Sequence, residues 1–193
     1  MEEKKQGTEY FQNIPPHDDA AEQAVLGCMF LDKEAVATAL EILRADDFYR
    51  PDHQRVFEAA EELFSAGIPV DVITIKNKLE EKQIFEQIGG LQFVVSISTA
   101  VASSVNVKHY AKIVEEKSLL RRLIKTASEV SQISYEGKED VNFIMEKAEK
   151  GIFDIMQNRR TEEFASIRDI AVSAFEKIED VYHNKGKVTG VAT

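Results

Sequence analysis

The chain has 193 residues, 44% of them apolar and 30% charged, with 9 Gly and 4 Pro, a balance that excludes collagen-like, low-complexity and wholly disordered chains and fits one large domain or a smaller one with an appendage. Its single cysteine, Cys28, excludes an internal disulfide or a multi-cysteine zinc site and points to a reducing compartment. The net charge of -10 is concentrated in residues 1–106, which carry 9 Lys+Arg against 19 Asp+Glu, whereas residues 107–157 balance at 9 against 9 and residues 158–193 at 6 against 6. Phosphate backbones are bound by local basic surface, so the front part is a poor nucleic-acid face and suits protein partners. Residues 1–10 have no apolar leader core, and the longest apolar stretch, 24–31, is too short to span a bilayer; the expectation is a cytoplasmic protein without a membrane partner.

Nearly every patterned segment shows apolar residues at helical spacing, which predicts an all-α fold. Residues 1–13 read as a flexible N-terminus and residues 14–105 as a small helical head. Asp18 and Asp19 open a first helix through Val25 and Met29, and Asp32 caps a second through Val36, Leu40 and Leu43. Pro51 suits the first position of a third, which buries Val56, Leu63 and Phe64 and stops at Gly67. Asp71 opens a fourth through Ile75 and Leu79, and Gly89-Gly90 breaks the chain before a buried helix from Leu91 to Ala102. Residues 106–157 read as a long helical hairpin: Asn106 caps a rod that lacks Gly and Pro to about Ser134, Gly137 ends it, and Asp140 starts the return helix. Residues 158–165 read as a linker, residues 166–186 as a C-terminal linker helix, and residues 187–193 as the start of a connection, so the expectation is a fragment of a longer chain.

The apolar faces exceed what a solitary hairpin can cover. Val141, Ile144, Met145, Ala148, Ile152 and Ile155 share one stripe of the return helix, its expected internal face, while Phe143 and Phe153 lie about 100° or more from its centre. On the long helix, Leu119, Leu123 and Ile133 widen the stripe of Ile113, Leu120, Ile124, Ala127 and Val130. The head could cover this surplus, or a second subunit could. In the linker helix Ile167, Ile170, Ala174, Ile178, Val181 and Tyr182 fall on one side with no later residues to cover them, so that helix needs a docking partner.

Chemistry finds little purchase. The four histidines, His17, His53, His109 and His183, lack metal-ligand spacing and read as surface or cap residues. The pairs Asp46-Asp47, Glu61-Glu62 and Glu80-Glu81 read as solvated or helix-end charges. Gly186-Lys187 fails as a phosphate loop, because Val181 and Val188 stand where Gly and Ser/Thr are required. Catalytic, metal and cofactor residues are therefore expected to be absent. The basic residues Arg121, Arg122 and Lys125, with a helix pair around Asp71 to Lys82, leave a helix-turn-helix DNA-binding regulator as the alternative.

Five segments in order carry a resemblance: IPPHDDAAEQAVLG at 14–27, DFYR at 47–50 with His53, GIPVD at 67–71, IGG at 88–90, and HYAKIVEEK at 109–117 followed by LRRLI at 120–124. Together they resemble the N-terminal part of bacterial DnaB-type replicative DNA helicases, over about residues 14–193. The resemblance implies a helical head, a hairpin that pairs subunits into a trimer-of-dimers collar, and a linker helix leading to a RecA-like motor. That motor, with its ATP and Mg, would lie outside this chain and drive 5′ to 3′ translocation on single-stranded DNA through a hexameric ring. It further implies docking of a DnaG-type primase and of the helicase loader. On that basis Phe93, Arg121, Arg122, Ile124 and Val130 are expected at the primase contact and Leu119, Leu123, Phe143 and Phe153 in self-assembly. Cys28 and Met29 depart from the small or aliphatic residues usual in that family.

Overall fold

The computed structural model describes residues 14–159. The linker from residue 160 on and the linker helix with Ile167, Ile170, Ala174, Ile178, Val181 and Tyr182 lie outside the described residues, as do residues 1–13 and 187–193. Seven α-helices and one 3₁₀ turn make up the described part: α1 (Asp19–Leu31), α2 (Lys33–Ile42), the 3₁₀ turn Ala45–Asp47, α3 (Pro51–Ser65), α4 (Val72–Glu81), α5 (Gly90–Ser98), α6 (Val107–Glu136) and α7 (Val141–Arg159). The all-α class is as expected. The chain partitions into two units, residues 1–148 and residues 149–193, with the boundary inside α7.

The starts of the helices follow local chemistry. Asp18, in extended conformation, accepts the amide of Ala21 at 2.9 Å and opens α1. Asp32 serves two helices: its own amide bonds to the Cys28 carbonyl to close α1, and its carboxylate accepts from Glu34 N at 2.9 Å to open α2. Pro51 stands at the start of α3, where no amide is needed. Asp71 and Thr74 exchange bonds reciprocally at the start of α4. Gly137, at φ 59°, ends α6 in the left-handed conformation that glycine adopts without steric penalty.

Burial explains the packing order. α1 lies against α2, α3, α5 and α6, and its sequence is apolar nearly all round, with Val25, Leu26, Cys28 and Met29 fully enclosed. Val36 and Ala39 of α2, Val56, Phe57 and Leu63 of α3, Ile75 and Leu79 of α4, and Val94 and Ile97 of α5 complete one core. The Phe48 and Phe57 rings meet at 4.9 Å with a 42° tilt. α6 seats only its first half there, through Val107, Ala111 and Val114.

Three expectations change. The segment after Gly90 is a nine-residue amphipathic helix rather than a buried one, because Leu91 and Val95 point outward while Val94 and Ile97 point in. Asn106 precedes α6 without a side-chain cap bond. In α7, Val141, Met145 and Ile152 of the expected internal face are exposed, and Ile144, Ala148 and Ile155 are only partly covered.

Gly27 marks the closest approach of α1 to α5. A Cβ there would stand 2.8 Å from the carbonyl oxygen of Ile97 and 3.0 Å from Val101, and a backbone oxygen has little room to yield. Gly27→Ala is expected to lower unfolding stability by about 2 kcal/mol, read as a shifted urea midpoint. An unchanged midpoint would refute this contact.

Candidate functional site

The polar groups with the most specific geometry meet where α1, the 3₁₀ turn and α6 converge. Glu22 is 1% exposed and His53 3% exposed, although both belong to residue types usually found outside. The Glu22 carboxylate accepts from Tyr49 N at 2.6 Å and Arg50 N at 3.3 Å, and its Oε2 lies 2.8 Å from His53 Nδ1. The segment entering α3 thus hangs from one carboxylate. The His53 ring stacks on Phe93 at 5.8 Å, 14° from parallel, which joins α5 to the same group.

A second cluster fastens α6. Ser118 Oγ donates to Asp47 Oδ1 at 2.6 Å, and Arg122 donates to the same oxygen at 2.8 Å and to Asp46 at 3.1 Å. Arg121 donates to the carbonyl oxygens of Asp47 and, at 2.8 Å, of Pro16. Its guanidinium lies 5.7 Å from the Tyr49 ring centroid, and that ring stacks on His17 at 4.2 Å. Burial is the largest influence on Arg121 and lowers its pKa, against the opposing pull of Glu22 and Asp47; a guanidinium starts so high that it stays cationic.

Two sequence expectations are corrected here. His53 is a buried core residue, not a surface one, and of the Asp46-Asp47 pair only Asp46 is solvated, since Asp47 is enclosed by α6. Glu22, Tyr49 and Ser118 were not singled out from sequence at all. A signal existed: Glu22 lies three and four residues before Val25 and Leu26, on the buried phase of α1.

The expected contact residues fall in different places. Phe93 is half-buried against the head core. Arg121 and Arg122 are committed to intrachain acceptors. Ile124 is 51% exposed on α6, where Leu120 and Leu123 are also open and Leu119 and Val130 partly so. Phe143, near the start of α7, is exposed, as is Phe153 in its later part.

Of the basic residues in the helix-turn-helix alternative, the lysines in and just after α4 are occupied. Lys82 and Lys78 both pair with Glu62, Lys78 also with Glu81 at 3.2 Å, and Lys76 with Glu80 at 3.4 Å. The bond from Lys82, followed by that from Lys78, holds the Glu62 carboxyl below its usual range, and Glu62 with Glu81 raises Lys78. Among the described residues there is no cluster of three metal-ligating side chains and no helix long and apolar enough to cross a membrane. Cys28 is enclosed, and burial pushes its thiol up.

An all-helical head with a long helix that carries open apolar side chains is the class of module defined by this fold. Residues 14–116 match the model of the DnaB-like helicase N terminal domain, and the chain belongs to that family. It is 40% identical over 180 residues to the replicative DNA helicase DnaC of Bacillus subtilis and 39% identical over 184 residues to the replicative DNA helicase DnaB of Geobacillus stearothermophilus, covering 93% and 95% of this chain. It spans only 40% of the length of either relative. Among solved structures, the N-terminal domain of DnaB helicase from Mycobacterium tuberculosis superposes with a TM-score of 0.70 at 41% identity, covering 73% of this chain and 99% of that one. A DnaB-like replicative helicase studied with regard to its interactions with primase shares the fold, with a TM-score of 0.64 at 24% identity over 91% of this chain and 39% of that one.

Glu22→Ala is expected to cost roughly 3–5 kcal/mol of stability, because it strands His53 and two amides in the interior. Glu22→Gln, which keeps one acceptor, is expected to cost about half as much. Chemical denaturation at neutral pH checks the order, and a loss near zero for Glu22→Ala would remove this carboxylate from its central place.

Proposed function

We propose that this chain is the collar of a hexameric replicative DNA helicase: it assembles subunits and docks the primase and the helicase loader at the replication fork. The observation that carries the reading is the middle of α6, where Leu120, Leu123 and Ile124 are open to solvent on a helix held to the head between Val107 and Arg122. Exposed apolar surface of this kind is stabilised by protein contact. Membership of the DnaB-like family supports this choice of partners. In this reading Leu119, Leu123, Phe143 and Phe153 serve self-association, first into dimers and then into the ring. Unwinding 5′ to 3′ with ATP and Mg, and passage of single-stranded DNA, belong to the full-length protein through its motor.

For the primase contact we propose Phe93, Arg121, Arg122, Ile124 and Val130. Ile124 is the most informative of these, because it is open and bonded to nothing, whereas the arginines also hold α6 in place. The lysines of α4 are neutralised by carboxylates of the same chain, so the DNA-binding alternative gains no support.

Sedimentation of the wild-type chain at tens of micromolar is expected to show dimers or larger species, and Leu123→Asp should shift them toward monomer with the helical content kept. Wild-type protein that remains monomeric throughout would sink the assembly reading. Separately, Ile124→Asp is expected to weaken binding of a DnaG-type primase by tenfold or more, about 1.4 kcal/mol, in a calorimetric or surface-binding titration. Unaltered affinity would move the contact away from α6.

A further inference from the structure

We propose that Asp47 and the Ser118–Arg122 turn form an angular latch, in which polar pins rather than the apolar seat set the direction in which α6 leaves the head, with Arg122 as its releasable arm. This goes beyond the collar reading and does not depend on it.

The seat is short. Val107, Ala111 and Val114 are its buried residues, flanked by half-buried Tyr110 and Ile113, and they span about 10 Å at 1.5 Å per residue. From Val114 the helix runs to Glu136, a further distance of about 33 Å. Burial of small apolar side chains is non-directional: it resists lifting the helix far more than tilting it. A tilt of roughly 10° about Val114 would carry the tip through about 6 Å at that rise per residue.

Directional bonds begin where the seat ends. At about 100° per residue, Arg121 and Arg122 fall on opposite sides of Ser118, about 60° and 40° away. Ser118 and Arg122 share Asp47 Oδ1, and Arg121 holds the Asp47 carbonyl and the Pro16 carbonyl. A swing to either side therefore stretches one arginine's bonds. The anchor is itself fixed, because Asp47 Oδ2 accepts Arg44 N at 2.8 Å. The two arms differ in permanence. Arg121 is partly buried and bonded to the Pro16 carbonyl, whereas the Arg122 side chain is 27% exposed and its second partner, Asp46, is 72% exposed, so that pair exchanges with water and is screened by salt.

The test places spin labels at Glu41→Cys on α2 and Glu129→Cys on α6, both exposed, in the full 193-residue chain diluted with unlabelled protein so that only distances within one molecule are read. Cys28 is fully enclosed and stays unlabelled. The wild-type distance distribution is expected to be narrow, clearly broader in Arg122→Ala and broader still in Asp47→Ala, since residue 129 lies about 22 Å along the lever from Val114 and a tilt of roughly 10° moves it by about 4 Å. High salt is expected to broaden the wild type toward Arg122→Ala and to leave Arg122→Ala unchanged. Val56→Ala, a core truncation in α3, controls for destabilisation alone and should lower the melting temperature while the distribution stays narrow. Distributions in Arg122→Ala and Asp47→Ala as narrow as the wild type would overturn the latch, and so would equal broadening in Val56→Ala. A wild type indifferent to salt would overturn the role of Arg122 as the releasable arm. Should Asp47→Ala not fold, Arg122→Ala carries the comparison, since its side chain is outside the core.

Discussion

A carboxylate in the interior of the most enclosed helix is the constraint from which the head is arranged. Removing Glu22 from water is costly, and the arrangement offsets that cost by directing two backbone amides and an imidazole nitrogen at it. Those donors come from residues 49 to 53, so the junction between the 3₁₀ turn and α3 has one permitted position. The His53 ring then meets Phe93, and Tyr49 offers its face to Arg121. Apolar burial supplies the cohesion of the core; this polar group supplies its uniqueness.

The second consequence concerns α6. A helix of 30 residues cannot be held along its whole length by so small a head, and its sequence divides accordingly. Small and β-branched residues at 107, 111 and 114 face α1 and α2, polar residues at 118, 121 and 122 close the contact, and larger apolar residues beyond them stay in solvent. The division leaves α6 with a fixed root and an open end, which is what the proposed collar role requires.

Much of the fold was legible in the sequence because its signals are local. Asp18, Asp32, Asp71, Pro51 and Gly137 act within three or four residues of themselves, and each marks the helix boundary expected of it. The candidate site was less legible because its bonds join residues far apart in sequence, such as Ser118 with Asp47 and Arg121 with Pro16. The intrachain acceptors of Arg121 and Arg122 were not legible either, because composition cannot show which oxygens a guanidinium reaches. The amphipathic nature of α5 was hidden by its nearly unbroken apolar run, in which only packing against α1 and α4 distinguishes Val94 from Val95.

The corner at Asp32 shows how little slack the head contains. One residue terminates α1, initiates α2 and takes the Ser104 hydroxyl through its other carboxylate oxygen. Two helices that share a single cap have no intervening loop in which an inserted residue could be absorbed: any change of length there would rotate α2 by about 100° relative to α1 and carry Val36 and Ala39 out of the core. An inserted residue has room instead in the stretches between α4 and α5 and between α5 and α6, where several residues separate the helices, so the first two helices act as the gauge from which the rest of the head is measured.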